Sequence, residues 1–484
     1  MKRLLSSLAV LCLAIIASAV QSPAQYEQDL LRLSFPGLSV GARSLGMGMA
    51  YTGVANDFSA VYWNPAGLGQ LRMNEVTFGL SHLSYDNTST FYSEDKPFTN
   101  SGTSLNSLGF VYAVPTTRGS FTIALGYGRQ ADFTTGLSFL GFNPKSSIIQ
   151  YWAPDGHEYP ADLTIAEQLE LAFADTSTGR FVSPIHDSLT QSGKILEGGG
   201  LNTVSASAAF EVAQDLYLGA TLNVITGSYS YRRNYYEDDL NHRWQSFPYD
   251  LSSLYLFETV DGDISGVTAK LGFLYKFGPN SRVGIAIKTP AWITVREDVT
   301  TEAQSTFDNG DTRPKDGPYR AASHDEWDAA TPFVFSAGVS VGVTPTLMLA
   351  GDIDFTDWTE MEFRNANPDL LALNTSVKED FQATANLRVG AEYEAVEGTL
   401  QLRGGFAYLP SPYQGDPSSF ARKYITAGIG FLAAKSVAVD VGYAYGFWND
   451  YLVNYDYMVN GRQTSRTDED IHTNNLMATV SYRF

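Results

Sequence analysis

The sequence is dominated by long runs in which apolar residues alternate strictly with small or polar ones. From about residue 75 to the C-terminus such runs recur, as in Phe121-Thr-Ile-Ala-Leu-Gly-Tyr127 and Phe333-Val-Phe-Ser-Ala-Gly-Val339. Because successive side chains of a β-strand point to opposite faces, this period of two predicts strands with one apolar face. The other face carries mostly Gly, Ala, Ser and Thr, which are too small and polar for a sandwich core. The pattern favours a membrane β-barrel, whose apolar outer face meets lipid.

Fourteen such segments are present, and bacterial outer-membrane barrels have an even number of strands. Very short turns alternate with much longer loops along the chain, which puts all short turns and the C-terminus on the periplasmic side. The sequence therefore predicts an all-β fold, a 14-stranded antiparallel transmembrane β-barrel over residues 75–484. The predicted strands are 75–85, 105–115, 120–132, 201–213, 215–231, 264–277, 282–296, 332–344, 346–357, 383–395, 399–409, 423–433, 437–449 and 474–484.

The charge of the chain is strongly acidic, with 52 Asp and Glu against 32 Lys and Arg. This balance argues against a nucleic-acid partner, which requires basic clusters. Of the acidic residues, 38 fall in the seven long loops, so we expect an acidic outer rim in contact with outer-membrane lipid and lipopolysaccharide. The runs Asp308-Asn-Gly-Asp311 and Asp468-Glu-Asp470 are candidate contacts for divalent cations, with an ordinary solvated loop as the alternative.

The N-terminus has the features of a secretory signal peptide. Met1-Lys-Arg3 is basic, and an apolar stretch from Leu4 ends at Ala17-Ser-Ala19. We predict a signal peptide over 1–19, with cleavage after residue 24 as the alternative. No later stretch is long and apolar enough for a membrane-spanning helix.

Residues 25–74 lack the strand pattern and are rich in glycine. One short helix is expected near Ser59, followed by a turn at Asn64-Pro65. The aromatic residues Tyr62 and Trp63 require burial, which a free periplasmic tail would not provide. We therefore predict that residues 25–74 form an N-terminal hatch, a plug that lies in the lumen of the barrel.

Four stretches of the sequence carry a resemblance to a known family. They are the turn Asn64-Pro65-Ala66 preceded by Asp57-Phe-Ser-Ala60, and the stretches 281–290, 347–359 and 400–412. In these stretches the chain resembles the FadL family of outer-membrane transporters for long-chain fatty acids and other hydrophobic compounds. The resemblance covers the hatch and about the second half of the chain.

The resemblance implies passive uptake of a hydrophobic ligand, such as a long-chain fatty acid or an aromatic hydrocarbon, without a cofactor. The stretches 41–48 and 62–68 are also similar to barrels of the type IX secretion machinery. The alternative function is therefore an outer-membrane barrel of a secretion system that binds protein partners. The hatch residues marked by these motifs are Arg43, Gly46, Gly48, Asn64, Pro65 and Ala66.

Strand parity places several charged residues on the lumen side. Among these, Lys270, Lys288, Arg388 and Arg403 are the candidates for binding a ligand carboxylate. The alternative, which we favour, is that the lumenal cations pair with lumenal carboxylates and with the hatch. In the family a kink in the third strand opens the wall, and Gly126 and Gly128 are the candidates for it here.

The longest loop contains a candidate capture site. Residues 162–174 fit a helix capped by Asp162, with Ile165, Leu169 and Phe173 on one face as a groove for a hydrophobic ligand. Packing of this loop on the barrel rim is the equally weighted alternative.

Signals for an enzyme are absent or misplaced. Gly338-Val-Ser-Val-Gly342 matches the pattern of a nucleophile elbow, but it lies within an alternating strand. The six His residues are scattered and the single Cys lies in the leader, so no catalytic residue and no metal site is predicted.

Overall fold

The computed structural model describes residues 27–157, 164–245, 250–433, 436–458 and 462–484. The predicted signal peptide lies outside the described residues. In the part that is described, strands predominate, and all ladders of the wall are antiparallel. The first strand pairs with the last, so the wall closes on itself as predicted.

The wall contains fourteen strand positions, two of which are built from two consecutive strands. The positions are β1 (Glu75–Phe91), β2 (Glu94–Val114), β3 (Phe121–Asp132), β7 (Leu189–Ala213), β8 (Leu216–Asp238), β9 (Leu251–Gly278), β10 (Ser281–Lys288) with β11 (Trp292–Phe307), β13 (Tyr319–Ala330) with β14 (Val334–Thr344), β15 (Leu347–Asp357), β17 (Ala383–Val396), β18 (Leu400–Leu409), β19 (Arg422–Ala433), β20 (Val437–Met458) and β21 (Arg462–Arg483).

Additional short elements lie at the end of the barrel that carries the long connections, which we call the upper end. They are β4 (Thr135–Asn143), β5 (Phe173–Asp175), β6 (Arg180–Val182), β12 (Thr312–Arg313), β16 (Glu362–Arg364), α4 (Ile148–Trp152), α5 (Ile165–Gln168), α6 (Pro368–Asp380) and a 3-10 turn at Trp358–Glu360.

Several strands are longer than the sequence predicts. β1 reaches Phe91 and β20 reaches Met458, and the extra residues pair in regular ladders with β2 and β21. The alternation of apolar residues marks only the part of a strand that faces lipid. Above it the outward residues are polar, so the ladder continues without the pattern that reveals it.

The predicted strand 282–296 is interrupted. β10 ends at Lys288 and β11 begins at Trp292, and the neighbouring position breaks at the same level, between Ala330 and Val334. Pro290 lies in the interruption, where the lack of a backbone N–H removes one ladder hydrogen bond.

Exposed apolar side chains form a band around the lower part of the wall. On β1 the band includes Val76, Phe78 and Leu80, and on β21 it includes Leu476 and Val480. None of the helices in the described ranges has the length and apolarity needed to span a membrane.

Residues 27–74 lie inside the barrel and form short helices, as expected for the hatch. The predicted helix near Ser59 is present as α3, which begins at Ala60. The four elements are α1 (Glu27–Ser34), α2 (Ala42–Gly46), α3 (Ala60–Trp63) and a 3-10 helix over Pro65–Gln70.

Candidate functional site

A network of charged side chains fixes the hatch to the lower lumen. The Arg43 guanidinium donates to both carboxylate oxygens of Glu392, at 2.8 and 2.7 Å, and to Asn56 at 2.6 Å. Arg403 donates to Glu392 at 2.7 Å and to Asp440 at 2.5 Å. Arg43 of the hatch thus joins a network of the barrel in which the arginines are paired with carboxylates. Such pairing is the alternative that we favoured for Arg403 from the sequence.

The electrostatics of Arg43 follow from this arrangement. Burial by itself lowers the pKa of Arg43, but the adjacent Glu392 carboxylate outweighs burial and raises it above its ordinary value. Arg43 therefore remains a cation throughout the ordinary pH range.

Glycines permit direct backbone contact between hatch and wall. Gly48 has a φ of 65°, and its N–H donates to the Thr426 hydroxyl at 2.9 Å. A Cβ at Gly390 or Gly405 would overlap the backbone of Met47 and Gly48. Gly46 lies in the same way against Gly428. The backbone of the hatch therefore lies so close to the wall that any residue larger than glycine at these positions would overlap it.

The turn Asn64-Pro65-Ala66 joins the hatch to the opposite side of the wall. The Asn64 amide donates to the Thr52 carbonyl at 2.9 Å and to the Phe273 carbonyl at 3.0 Å, and its oxygen accepts from the Ala66 N–H. Pro65 and Ala66 lie where Cβ atoms at Gly219 and Gly272 would overlap them. All six predicted hatch residues are thus at the interface between hatch and wall.

Two contacts of the hatch were not singled out from the sequence. The Asp352 carboxylate accepts from the backbone N–H groups of Tyr51 and Thr52, at 2.7 and 2.6 Å. The ring of Phe58 fills the space above Gly109 and Gly126, which face each other on β2 and β3. Gly126 therefore makes room for a hatch side chain, a role that only the packed structure reveals.

Around α1, the first helix of the hatch, inward-facing apolar side chains form a region that we call the upper chamber. Helix α1 fills it, and Leu30 and Leu33 of α1 are buried there. A cavity of about 20 Å³ remains between α1 and the wall, enough for roughly one water. The chamber residues include Ile225, Tyr229, Val260, Ile264, Ile293, Val295 and Trp327.

A pair of lysines lies between the upper chamber and the hatch. Lys270 of β9 and Lys288 of β10 occupy directly opposite positions in the ladder, both on the lumen face. Lys270 donates to the Tyr62 carbonyl oxygen, and its ammonium lies 5.0 Å from the centre of the Tyr62 ring. Within the described residues neither lysine forms an ion pair with a carboxylate. Like charges placed opposite each other cost stability, so an anion between them is favoured.

The other two candidate cations are occupied. Arg388 pairs with Asp354, and Arg403 pairs with Glu392 and Asp440. Burial raises the pKa of the hatch residue Tyr62, which lies beside these groups, to about 12, so it is neutral. The four candidates predicted from the sequence therefore divide into a matched arginine pair and an unmatched lysine pair.

The wall contains a seam between β2 and the segment that follows β3. The ladder between β2 and β3 ends at the pair Ser107–Gly128, and beyond it β4 pairs with β7 instead. Asn87 and Ser89 of β1 and Asn100 of β2 donate to backbone carbonyls of β4, at 3.2, 2.5 and 2.8 Å. At this seam the described contacts between β4 and the strands β1 and β2 are made by side chains and not by a backbone ladder. The ladder ends at Gly128, one of the two glycines predicted to permit a kink.

The predicted capture helix differs from the structure. Asp162 lies outside the described residues, and the helix spans only Ile165–Gln168, with Thr164 and Glu167 in a capping box. Phe173 begins strand β5, so it does not continue the helical face. Ile165 and Leu169 are buried among other loop side chains. The loop has a packed apolar interior, as in the alternative of packing on the rim. The helix is shorter than predicted because Glu170 has a φ of 55° and the Leu171 N–H donates to the Ala166 carbonyl at 2.7 Å, which closes the helix at its C-terminus.

Carboxylates of the acidic runs predicted to contact divalent cations lie beside arginines. Asp311 lies 3.6 Å from Arg313, and Asp468 lies 2.6 Å from Arg466. No group of three or more metal-binding side chains occurs within the described ranges.

The fold and the hatch define a class of outer-membrane transport barrel, and comparison with known proteins agrees. The family described as "Outer membrane protein transport protein (OMPP1/FadL/TodX)" matches residues 199–484, more than half of the chain. The protein belongs to this family, which comprises transporters of hydrophobic compounds and not enzymes. It is located in the outer membrane. None of the curated protein sequences matches the chain significantly.

Solved structures show the same fold. A FadL homologue of Pseudomonas aeruginosa is 13% identical, with a TM-score of 0.59 over 93% of this chain and 100% of that chain. The toluene transporter TodX of P. putida is 13% identical, with a TM-score of 0.54 over 92% and 99%. The toluene transporter TbuX of Ralstonia pickettii is 17% identical, with a TM-score of 0.50 over 92% and 99%.

Proposed function

We propose that this protein is a passive channel for hydrophobic compounds that carry a carboxylate, such as long-chain fatty acids. The observation that supports this proposal is the unmatched pair Lys270 and Lys288 below the upper chamber. An acyl tail in the chamber would bring its carboxylate towards the two ammonium groups. Aromatic hydrocarbons, the other class expected from the sequence, have no charge to match them.

The dimensions of the lumen are consistent with such a ligand. Six residues of β9 separate Ile264 in the upper chamber from Lys270, about 20 Å of extended strand. This length is comparable to that of a long acyl chain. Helix α1 occupies the chamber through Leu30 and Leu33, so the tail takes the place of these side chains when the ligand binds.

Release is proposed to occur through the wall. The region beneath the hatch is lined mainly by polar and charged side chains, including Arg43, Glu392 and Arg403. An apolar tail that passed through it would displace water from these groups without replacing its hydrogen bonds, which is costly. The seam between β2 and β4 lies beside the lumen and is bridged by side chains only. Opening it costs a few side-chain hydrogen bonds, each worth about 1 kcal/mol, whereas opening a backbone ladder costs many.

The outer loops are proposed to meet the lipopolysaccharide layer. Their acidic residues favour contact through divalent cations, and the buried loop residues Ile165 and Leu169 support a structural role for the longest loop. Capture of ligand then takes place at the mouth of the upper chamber.

Uptake of labelled oleate by cells tests the function. Cells that produce the protein are compared with cells that lack it and with cells that produce Lys270→Gln/Lys288→Gln. We expect rapid uptake with the native protein and a reduction to near the background with the double variant. Equal uptake in all three strains would refute the proposal, and faster uptake of toluene but not oleate would refute the ligand class.

A disulfide across the seam tests the route. In the described structure a Cβ at Gly102 would lie 3.2 Å from the Thr134 hydroxyl oxygen, so Gly102→Cys with Thr134→Cys can form a bridge. Oxidation should stop oleate uptake without reducing oleate binding, and a reductant should restore it. Each single-cysteine variant is the matched control. Unchanged uptake after complete oxidation would exclude this route.

A further inference from the structure

A polar cavity of about 290 Å³ lies beneath the hatch, at the periplasmic end of the lumen. Four guanidinium groups line it, those of Arg43, Arg282, Arg403 and Arg483. Three of them are matched by carboxylates at N–O distances of 2.5 to 2.8 Å. The fourth, Arg282, forms no ion pair with any residue that the structure describes.

Arg282 is nevertheless deeply buried, with only 7% of its surface exposed. Its Nη1 donates to the Val54 carbonyl of the hatch at 3.5 Å, the outer limit of a hydrogen bond, and its Nε has no partner. Most of the five N–H donors of the guanidinium are therefore available. Burial of an unmatched cation is costly unless a counter-charge is supplied.

We propose that this cavity binds a small oxyanion from the periplasm, a phosphate or a short carboxylate, at Arg282. The planar fork of a guanidinium accepts such an oxyanion with two parallel hydrogen bonds. Asn56, Asn280 and Thr346 line the same cavity and add neutral polar groups. The cavity is many times larger than a single water requires, so the anion enters with part of its hydration shell.

The cavity also sets a limit on affinity. The carboxylates of Glu392, Asp440, Glu75 and Asp57 on its wall pair with arginines, Asp57 with Arg43 at 3.9 Å, but Glu394 forms no ion pair with the described residues and accepts from the Gly398 N–H at 2.5 Å. Its charge opposes an anion, so binding is weak and depends on ionic strength. The bound anion connects strand β10 with the hatch at Val54, and so stabilises the seated hatch.

The test is a titration of the purified full-length protein in detergent with inorganic phosphate, and separately with acetate, at constant ionic strength. Binding is followed by calorimetry, and protection of the hatch amides of residues 53–57 by hydrogen exchange. We expect saturable binding and slower exchange with at least one anion. Arg282→Gln should weaken binding about tenfold or more, since it removes the charge and the fork. Arg282→Lys should retain part of the affinity.

The matched control is Arg72→Gln, because Arg72 is an exposed arginine paired with Glu211 outside the cavity. It should bind as the native protein does. Correct assembly of each variant is checked by whether it stays folded in detergent that is not heated. Absence of saturable binding to the native protein, or equal binding by Arg282→Gln, would overturn the proposal.

Discussion

The same strands line the lower and upper halves of the lumen, but the two halves contact the N-terminal segment in different ways. In the lower half, Arg43 and Arg403 are matched by Glu392 and Asp440, and glycines bring backbone against backbone. In the upper half, apolar side chains surround α1, whose one cross-lumen ion pair among the described residues joins Arg32 to Glu197 at 3.6 Å, and among the same residues Lys270 and Lys288 have no matched carboxylate. The charges that hold the hatch in the lower half are therefore paired, whereas the two lysines of the upper half are not paired with any described carboxylate.

This difference indicates a division of work along the lumen. Matched, buried ion pairs are expensive to break singly, so they define one position of the hatch. Apolar contacts are non-directional, and one apolar occupant can replace another at little cost. We therefore expect the lower half to hold the hatch and, under the proposed function, the upper half to exchange α1 for a ligand.

The largest expected effect is at the centre of the lower network. Glu392→Gln leaves Arg43 and Arg403 without their shared carboxylate, which should lower the free energy of unfolding by about 3 kcal/mol. Urea titration of the protein refolded in detergent measures this loss. Glu394→Gln, two residues along the same strand, should change stability by less than about 0.5 kcal/mol. Equal effects of the two would show that the network does not hold the hatch.

A second change concerns the close backbone contact. Gly405→Ala places a methyl group against the backbone of Gly48, and overpacking of this kind costs about 2 kcal/mol. Gly404→Ala is the matched control, because a Cβ there meets only the Thr426 carbonyl at 3.8 Å. Protease cleavage of the hatch should accelerate in Gly405→Ala alone. Identical cleavage rates would contradict the tight seating of the hatch.

A smaller effect is expected at the seam. Asn100→Ala removes side-chain hydrogen bonds to the carbonyls of Thr135 and Glu197, at 2.8 and 3.3 Å, for a loss of about 1 kcal/mol. Hydrogen exchange of β4 should accelerate while exchange of β8 remains unchanged. If β4 exchanges at the native rate, the side chains do not hold the seam.

The last effect, of similar size but confined to high pH, lies in the upper lumen. Glu469 lies above the apolar band of β21, and burial together with the Asp450 carboxylate raises its pKa to about 8. A raised pKa in the folded state means that the ionised carboxylate costs stability as the pH rises from its unfolded value towards 8. Glu469→Gln should therefore stabilise the protein by about 1 kcal/mol at pH 9 and have little effect at pH 4. Thermal unfolding at both pH values measures the difference, and an equal change at both would refute the shift.

Much of the fold was accessible from the sequence because lipid imposes a strict pattern. Alternating residues such as Phe121, Ile123 and Leu125 must face lipid, which determines strand number and the direction of every side chain. The extension of β1 to Phe91 was missed, because polar residues face water on the outer side there. The interruption at Pro290 was also missed, although proline in a strand is a recognised signal.

The candidate site was only partly accessible. Strand parity placed Lys270, Lys288, Arg388 and Arg403 in the lumen, since parity depends only on chain position. Parity did not reveal which of these cations pair with a carboxylate, because pairing depends on the register between strands and on the position of the hatch. Phe58 shows the same limit, since the glycines that receive its ring lie on two strands distant in sequence from it.

Binding of a ligand carboxylate by the unmatched lysines Lys270 and Lys288 is the central element of the proposed function. Calorimetric binding of oleate and of oleyl alcohol to the native protein and to Lys270→Gln/Lys288→Gln tests it directly. We predict that the double variant loses at least about tenfold in affinity for oleate and retains its affinity for the neutral alcohol. Equal oleate binding by both proteins, or equal losses for oleate and the alcohol, would contradict the claim.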